Sequence, residues 1–125
     1  MLLKENFTWN EVGTVTRYTG VPDGCDVLLL TELFSGAERT LVHVSSDDVG
    51  MNRIAEAVGF LVPEIPILKF PAWDCLPYDR VPPRAELVAE RMATLGELAA
   101  ETANSGPYLV LTTVSAILQR VPPRA

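Results

Sequence analysis

YLVLTTVSAILQ, residues 108–119, opens on the most strand-like segment of the chain. Tyr108 to Val114 is made of apolar, aromatic and β-branched residues, which suits a pleated, packed strand, and Ser115 opens a short helical turn toward Gln119. Upstream, Gly106-Pro107 ends a helix whose Leu87, Val88, Met92, Leu95, Leu98 and Ala99 form one apolar stripe, with Glu86, Glu90 and Glu97 elsewhere and Pro83 in the first turn. Ile67 to Phe70 is an expected strand, and a loop rich in proline and aromatic residues joins it to that helix. Farther upstream, Arg39 to Ser45 carries the apolar run TLVHV of a strand buried on both faces. Ser46 or Asp47 is placed to cap a helix running to about Gly59. Val12 to Thr19 alternates β-branched residues and predicts a first strand, and residues 1–11 form a lead-in. The turn GVPDG follows, and Asp23 or Gly24 can cap a helix through about Phe34 that buries Cys25, Leu28, Leu29 and Leu33 and stops at Gly36. The apolar LLLT within it would also suit a strand.

Strand and helix in alternation predict an α/β fold: a parallel sheet of about four strands joined by right-handed crossovers, with helices on both faces in three layers. Residues 1–125 are expected to form a single domain. A parallel sheet with a bare edge is a liability, so the domain is expected to be incomplete and to belong to a longer protein.

The composition narrows the function. With 48% hydrophobic residues and positive mean hydropathy, the chain can bury a core and is not disordered. The formal charge of −6 argues against a free-standing DNA-binding module, which needs a basic face. No window approaches the roughly 18 apolar residues of a membrane span, and the start MLLKENFTWNE lacks signal-peptide features, so a cytoplasmic location and no membrane contact are expected. Cys25 and Cys75 read as packed thiols. One histidine and no CxxC leave no expected metal site. His43, in an apolar strand, reads as a hydrogen-bonded core residue. No Ser/His/Asp or paired-carboxylate constellation assembles, so no catalytic residue is assigned. RVPPRA occurs at 80–85 and again at 120–125, but the flanks are unrelated and no architectural repeat follows.

The loop and its helix, FPAWDCLPYDRVPPRAELVAERMATL at 70–95, carry a more specific signal. Pro71, Pro77, Pro82 and Pro83 fix φ and hold a semi-rigid course that displays Trp73 and Tyr78. Packing on their own domain is the ordinary fate of such aromatics, and stacking on bases or on a partner is the functional alternative. Arg91 is placed to pair with Asp74 or Asp79 and tie the loop down. WDCLPYDR followed by ERMATL resembles the N-terminal module that the bacterial transcription-repair coupling factor family (Mfd) shares with the excision-repair protein UvrB. ERTLVHVSSDDVGMNRIAEAVGF and LVLTTVSAILQRVP resemble UvrB-like segments in the same order, so the resemblance covers roughly residues 12 to 124.

That resemblance implies a truncated, helicase-like domain derived from a P-loop fold, the first part of domain 1a. In the alignment it implies, the phosphate loop falls on Gly20-Val21-Pro22-Asp23-Gly24-Cys25-Asp26-Val27. Asp26 stands where the loop's lysine belongs, Val27 where its Ser/Thr belongs, and Cys25 where its last glycine belongs. An anion in place of that lysine reverses the sign of its interaction with a triphosphate, so neither nucleotide nor other cofactor is expected here. ATP and magnesium belong, by resemblance, to a motor module elsewhere in the full-length protein. That protein would be an ATP-dependent DNA translocase that displaces stalled RNA polymerase in transcription-coupled nucleotide excision repair. UvrA would bind through an adjoining domain, RNA polymerase and double-stranded DNA through others, and this segment would be a scaffold. Trp73, Tyr78, Arg80, Thr112, Thr113, Ser115 and Arg120 are candidate contacts for DNA or a partner, with capping by Thr113 or Ser115 the structural alternative. A nucleotide-binding domain of UvrB type and an unrelated small α/β interaction domain remain the other readings.

Overall fold

The computed structural model describes residues 12–76, 78–100 and 106–123. The elements are α1 (Cys25–Ser35), β1 (Leu41–Ser45), α2 (Asp48–Leu61), β2 (Ile67–Phe70), α3 (Ala85–Ala99), β3 (Leu109–Thr113) and α4 (Val114–Leu118). The strands form a three-stranded parallel sheet in the order β1-β3-β2, with Leu41 and Ile67 both in register with Leu109. β3 is central and buried along its whole length. The chain crosses from β1 to β2 through α2 and returns to β3 through α3. Reversing direction along the sheet sends the second crossover to the opposite face when both have the same hand, and the packing follows that rule.

On one face, Leu109 and Leu111 pack with Val27 and Leu30 of α1 and with Met51, Ile54 and Val58 of α2. On the other, Phe70, Ala72, Val110 and Ala116 pack with Leu95 and Leu98 of α3. The polar groups in this second layer serve the sheet. Thr112 Oγ1 donates to the Phe70 carbonyl at 2.9 Å, and Thr94 Oγ1 donates to the Lys69 carbonyl.

The α/β, parallel-sheet expectation holds, with two corrections to its strands. Residues 12–19 form no strand; Val12 and Val15 are 96% and 93% exposed, and β-branched alternation without burial does not make a strand. The sheet therefore has one strand fewer than expected among the described residues. β1 is also not buried on both faces. It is an edge strand, and Val42 and Val44, on the side of Val110, are 55% and 42% exposed because α3 packs over β2 instead.

The helices depart from expectation at their ends and on one face. Gly24 precedes α1 at φ 86°, a left-handed conformation that a glycine adopts without strain, and no side chain caps that end. α1 buries Val27 and Leu30, with Phe34 packed beside them, rather than the Cys25, Leu28, Leu29 and Leu33 stripe. The run CDVLLL offers several apolar stripes, and contact with α2 and β3 selects one. Asp47 caps α2 by accepting from the Gly50 amide at 2.7 Å, and the helix continues past Gly59 to Leu61. α3 starts at Ala85, just after Pro83 and Arg84.

Candidate functional site

The carboxyl ends of parallel strands are where α/β domains usually place their sites. Two segments that lead into helices differ in character here: the turn before α1, which follows no strand, and the loop after β2. The first is the turn before α1. Asp26, in the first helical turn, accepts from Arg53 Nη2 of α2 at 2.6 Å, and its Oδ1 accepts from the Val27 amide at 2.9 Å. The Arg53 hydrogen bond holds the Asp26 carboxyl below the usual aspartate range. Of the positions expected for a degenerate phosphate loop, Gly20, Asp23, Gly24, Cys25, Asp26 and Val27, Asp26 is engaged in this ion pair and the Val27 side chain is buried in the core. His43 stands nearby on β1 with Nδ1 3.5 Å from Ser45 Oγ, and burial pushes its imidazole below the ordinary histidine pKa. Arg53 adds to that push and Asp26 opposes it.

The second junction is the loop from Pro71 to Arg84. Its entrance is tied to α3 by Arg91, which is 3% exposed. Arg91 Nη1 donates to the Pro71 carbonyl at 2.8 Å and to Gln119 Oε1 at 3.3 Å. Its guanidinium carbon lies 4.0 Å from the centre of the Phe70 ring and 5.0 Å from that of Trp73. Gln119 Oε1 also accepts from the Trp73 amide at 2.9 Å, joining the loop to the segment after α4. Arg91 therefore ties the loop down without Asp74 or Asp79, contrary to expectation. Asp74 instead accepts from Arg84, through the backbone amide at 3.0 Å and Nε at 2.7 Å, closing the loop at its base. These bonds hold the Asp74 carboxyl low. Asp79 accepts from the Leu76 amide at 2.7 Å within the loop.

The candidate contact residues do not converge on one site. Thr112 and Thr113 are buried and internally engaged, Thr113 as the cap of α4 through its bond from the Ala116 amide at 3.2 Å. Ser115, one residue inside that helix, is exposed and is not its cap. Tyr78 is fully exposed with φ 76°, an uncommon conformation for a residue with a side chain, and Arg80 is exposed beside it in sequence. Trp73 and Arg120 do come together, lining a groove of about 280 Å³ between α3 and residues 120–122. Arg91 lies in that lining and is the residue that sequence reasoning left without a functional role. Its place beside an apolar stripe was the available signal.

Among the described residues no group of three or more His, Cys, Asp or Glu side chains could hold a metal, and no helix is long and apolar enough to cross a membrane. Fold and site together define a small α/β domain built on a three-stranded parallel sheet, without a catalytic constellation among the described residues.

The chain is distantly homologous to bacterial transcription-repair coupling factors. It is 27% identical over 95 residues to that of Rickettsia bellii, 28% over 100 residues to that of Haemophilus influenzae and 30% over 84 residues to that of Rickettsia prowazekii. These alignments cover 76%, 80% and 67% of this chain but only 8%, 8% and 7% of the respective relatives. No family model matches the chain, and no solved structure does.

Proposed function

We propose that this chain is the first part of the UvrB-like domain 1a of a transcription-repair coupling factor, acting in transcription-coupled nucleotide excision repair as a non-catalytic, cytoplasmic scaffold. In this reading the phosphate loop is degenerate. The full-length protein is an ATP-driven DNA translocase that displaces stalled RNA polymerase, and UvrA is recruited through an adjoining domain that this segment supports. Homology to the three coupling factors supports the pathway. The observation that carries the non-catalytic role is Asp26: an aspartate paired with Arg53 stands at the helix start where a P-loop presents a free lysine to attract phosphate. The uncovered Val42 and Val44 support an incomplete domain whose remaining layer comes from elsewhere in the protein.

Thermal unfolding with and without millimolar Mg-ATP tests the site. No shift is expected, whereas a ligand at 100 times its Kd would stabilise by about 2.7 kcal/mol and move the midpoint by several degrees. Such a shift would turn the reading toward a nucleotide-binding domain of UvrB type. The scaffold role is tested in the full-length protein with Val44→Asp, which should lower UvrA capture while leaving the ATPase of the motor intact. Unchanged capture would remove the scaffold from the reading.

A further inference from the structure

The groove lined by Trp73 and α3 has two features that together specify an occupant. Its walls are apolar and open to solvent, with Trp73 39%, Met92 51% and Val121 50% exposed and Leu95 between them. Arg91 in its lining carries a buried charge that no carboxylate of the described residues balances. Among the described residues the ion pairs are Arg53 with Asp26, Lys69 with Glu90 and Arg84 with Asp74, and Arg91 bonds only to a carbonyl and a side-chain amide of those residues. Desolvation destabilises its charged form. Neutral oxygens and aromatic faces satisfy the hydrogen bonds of a guanidinium but leave its net charge in a poorly solvated place, where an arriving anion gains most. Arg120 lies on the same lining and is exposed, so the groove's charged groups are both cationic.

We propose that this groove docks an acidic segment of a partner protein, which seats one apolar side chain between Trp73 and Met92 and brings a carboxylate toward Arg91 and Arg120. A volume of about 280 Å³ is room for one or two side chains, below the usual pocket of a drug-sized ligand. Nucleic acid fits less well. Phosphate recognition needs a track of cations, and two arginines in an apolar wall do not provide one. The occupant is thus a peptide whose charge complements the groove and whose apolar anchor supplies the buried area.

The test is an NMR titration of the whole chain with the peptide acetyl-DDFLDE-amide and its neutral counterpart acetyl-NNFLNQ-amide, read at the Trp73 indole N–H and the Met92 methyl. The acidic peptide should shift both signals with a Kd of about 1 mM or tighter, and the neutral one should bind at least ~10-fold more weakly. Arg120→Glu and Met92→Glu, both exposed positions, should keep the folded spectrum while weakening the acidic peptide ~10-fold. Equal binding of the two peptides, no shift at either signal, or an unaffected Kd in both variants would overturn the proposal. So would a ten-nucleotide oligo-dT that shifts these signals more strongly than the acidic peptide, since that would assign the groove to nucleic acid.

Discussion

Arg53 and Arg91 lie on helices packed against opposite faces of one sheet, and their guanidinium groups are held by opposite means. Arg53 meets a carboxylate in the open, with its side chain 50% exposed and that of Asp26 39% exposed. Arg91 meets no carboxylate among the described residues, is 3% exposed, and is held by a carbonyl, an amide oxygen and two aromatic rings. An ion pair in water gains little because solvent already stabilises both charges, whereas bonds made by a buried group have no solvent to replace them. The weaker-looking arrangement on α3 should therefore matter more to the fold than the ion pair on α2.

Truncating Arg91 is the most direct way to break this comparison. Arg91→Ala opens a cavity against Phe70 and Trp73 and leaves the Pro71 carbonyl without its donor, at an expected cost of about 3 kcal/mol, or a fall in Tm of more than ~10 °C. Arg91→Met keeps the packing and removes the buried charge, so it should cost only about 1–2 kcal/mol. Urea denaturation of both variants measures the difference. If alanine and methionine cost the same, packing around the side chain is not what Arg91 contributes.

Thr112 sharpens the same point with a neutral group. Thr112→Val is nearly isosteric and removes the buried bond to the Phe70 carbonyl, for an expected loss of about 1 kcal/mol by urea midpoint. A loss near zero would mean that the β2 carbonyl finds another donor.

Much of this layout could be read in the sequence, and the failures share a cause. β2 and β3 were legible because Ile67–Phe70 and Leu109–Thr113 are short apolar runs between breakers, and α2 because Asp47 is a capping residue placed before an amphipathic pattern. Val12 to Thr19 has the same β-branched composition as a true strand. Whether such a segment pairs depends on a neighbouring strand to receive it, which composition does not encode. TLVHV does supply strand β1, and only its expected burial on both faces failed: which helix covers it is decided by α3 settling on β2. At the candidate site, Arg91 was legible as a residue that anchors the loop, while its partners were not. Asp74 and Asp79 are the acidic residues of that loop, but a guanidinium inside a core also bonds backbone carbonyls, and Gln119 lies 28 residues away. The groove formed by Trp73 and Arg120 was illegible for the same reason, since it joins segments that only the fold brings together.

His43 extends the comparison to pH. Burial holds its pKa below the ordinary 6.5, so the unfolded chain binds the proton more readily than the folded one. Its contribution to stability is full above pH 6.5 and declines as pH falls below that value toward the folded pKa. Between pH 7.5 and 5.5 the Tm should fall on this account, and His43→Gln should flatten that slope. An unchanged slope in the variant would place the titrating group elsewhere.

The smallest effect should come from the shortest ion pair. Asp26→Asn and Arg53→Gln each dissolve a contact of 2.6 Å, yet both side chains are well solvated, and screening leaves little net stabilisation to lose. The lowered Asp26 pKa means that whatever the pair contributes is present above the ordinary 3.8 and is lost as pH falls through the lower folded value. Near neutral pH, therefore, both variants should melt closer to the parent chain than Thr112→Val does, with the remaining difference shrinking as salt is raised. A larger loss than that of Arg91→Ala would reverse the comparison. It would make the junction before α1, rather than the anchored loop before α3, the part of the molecule on which the fold depends.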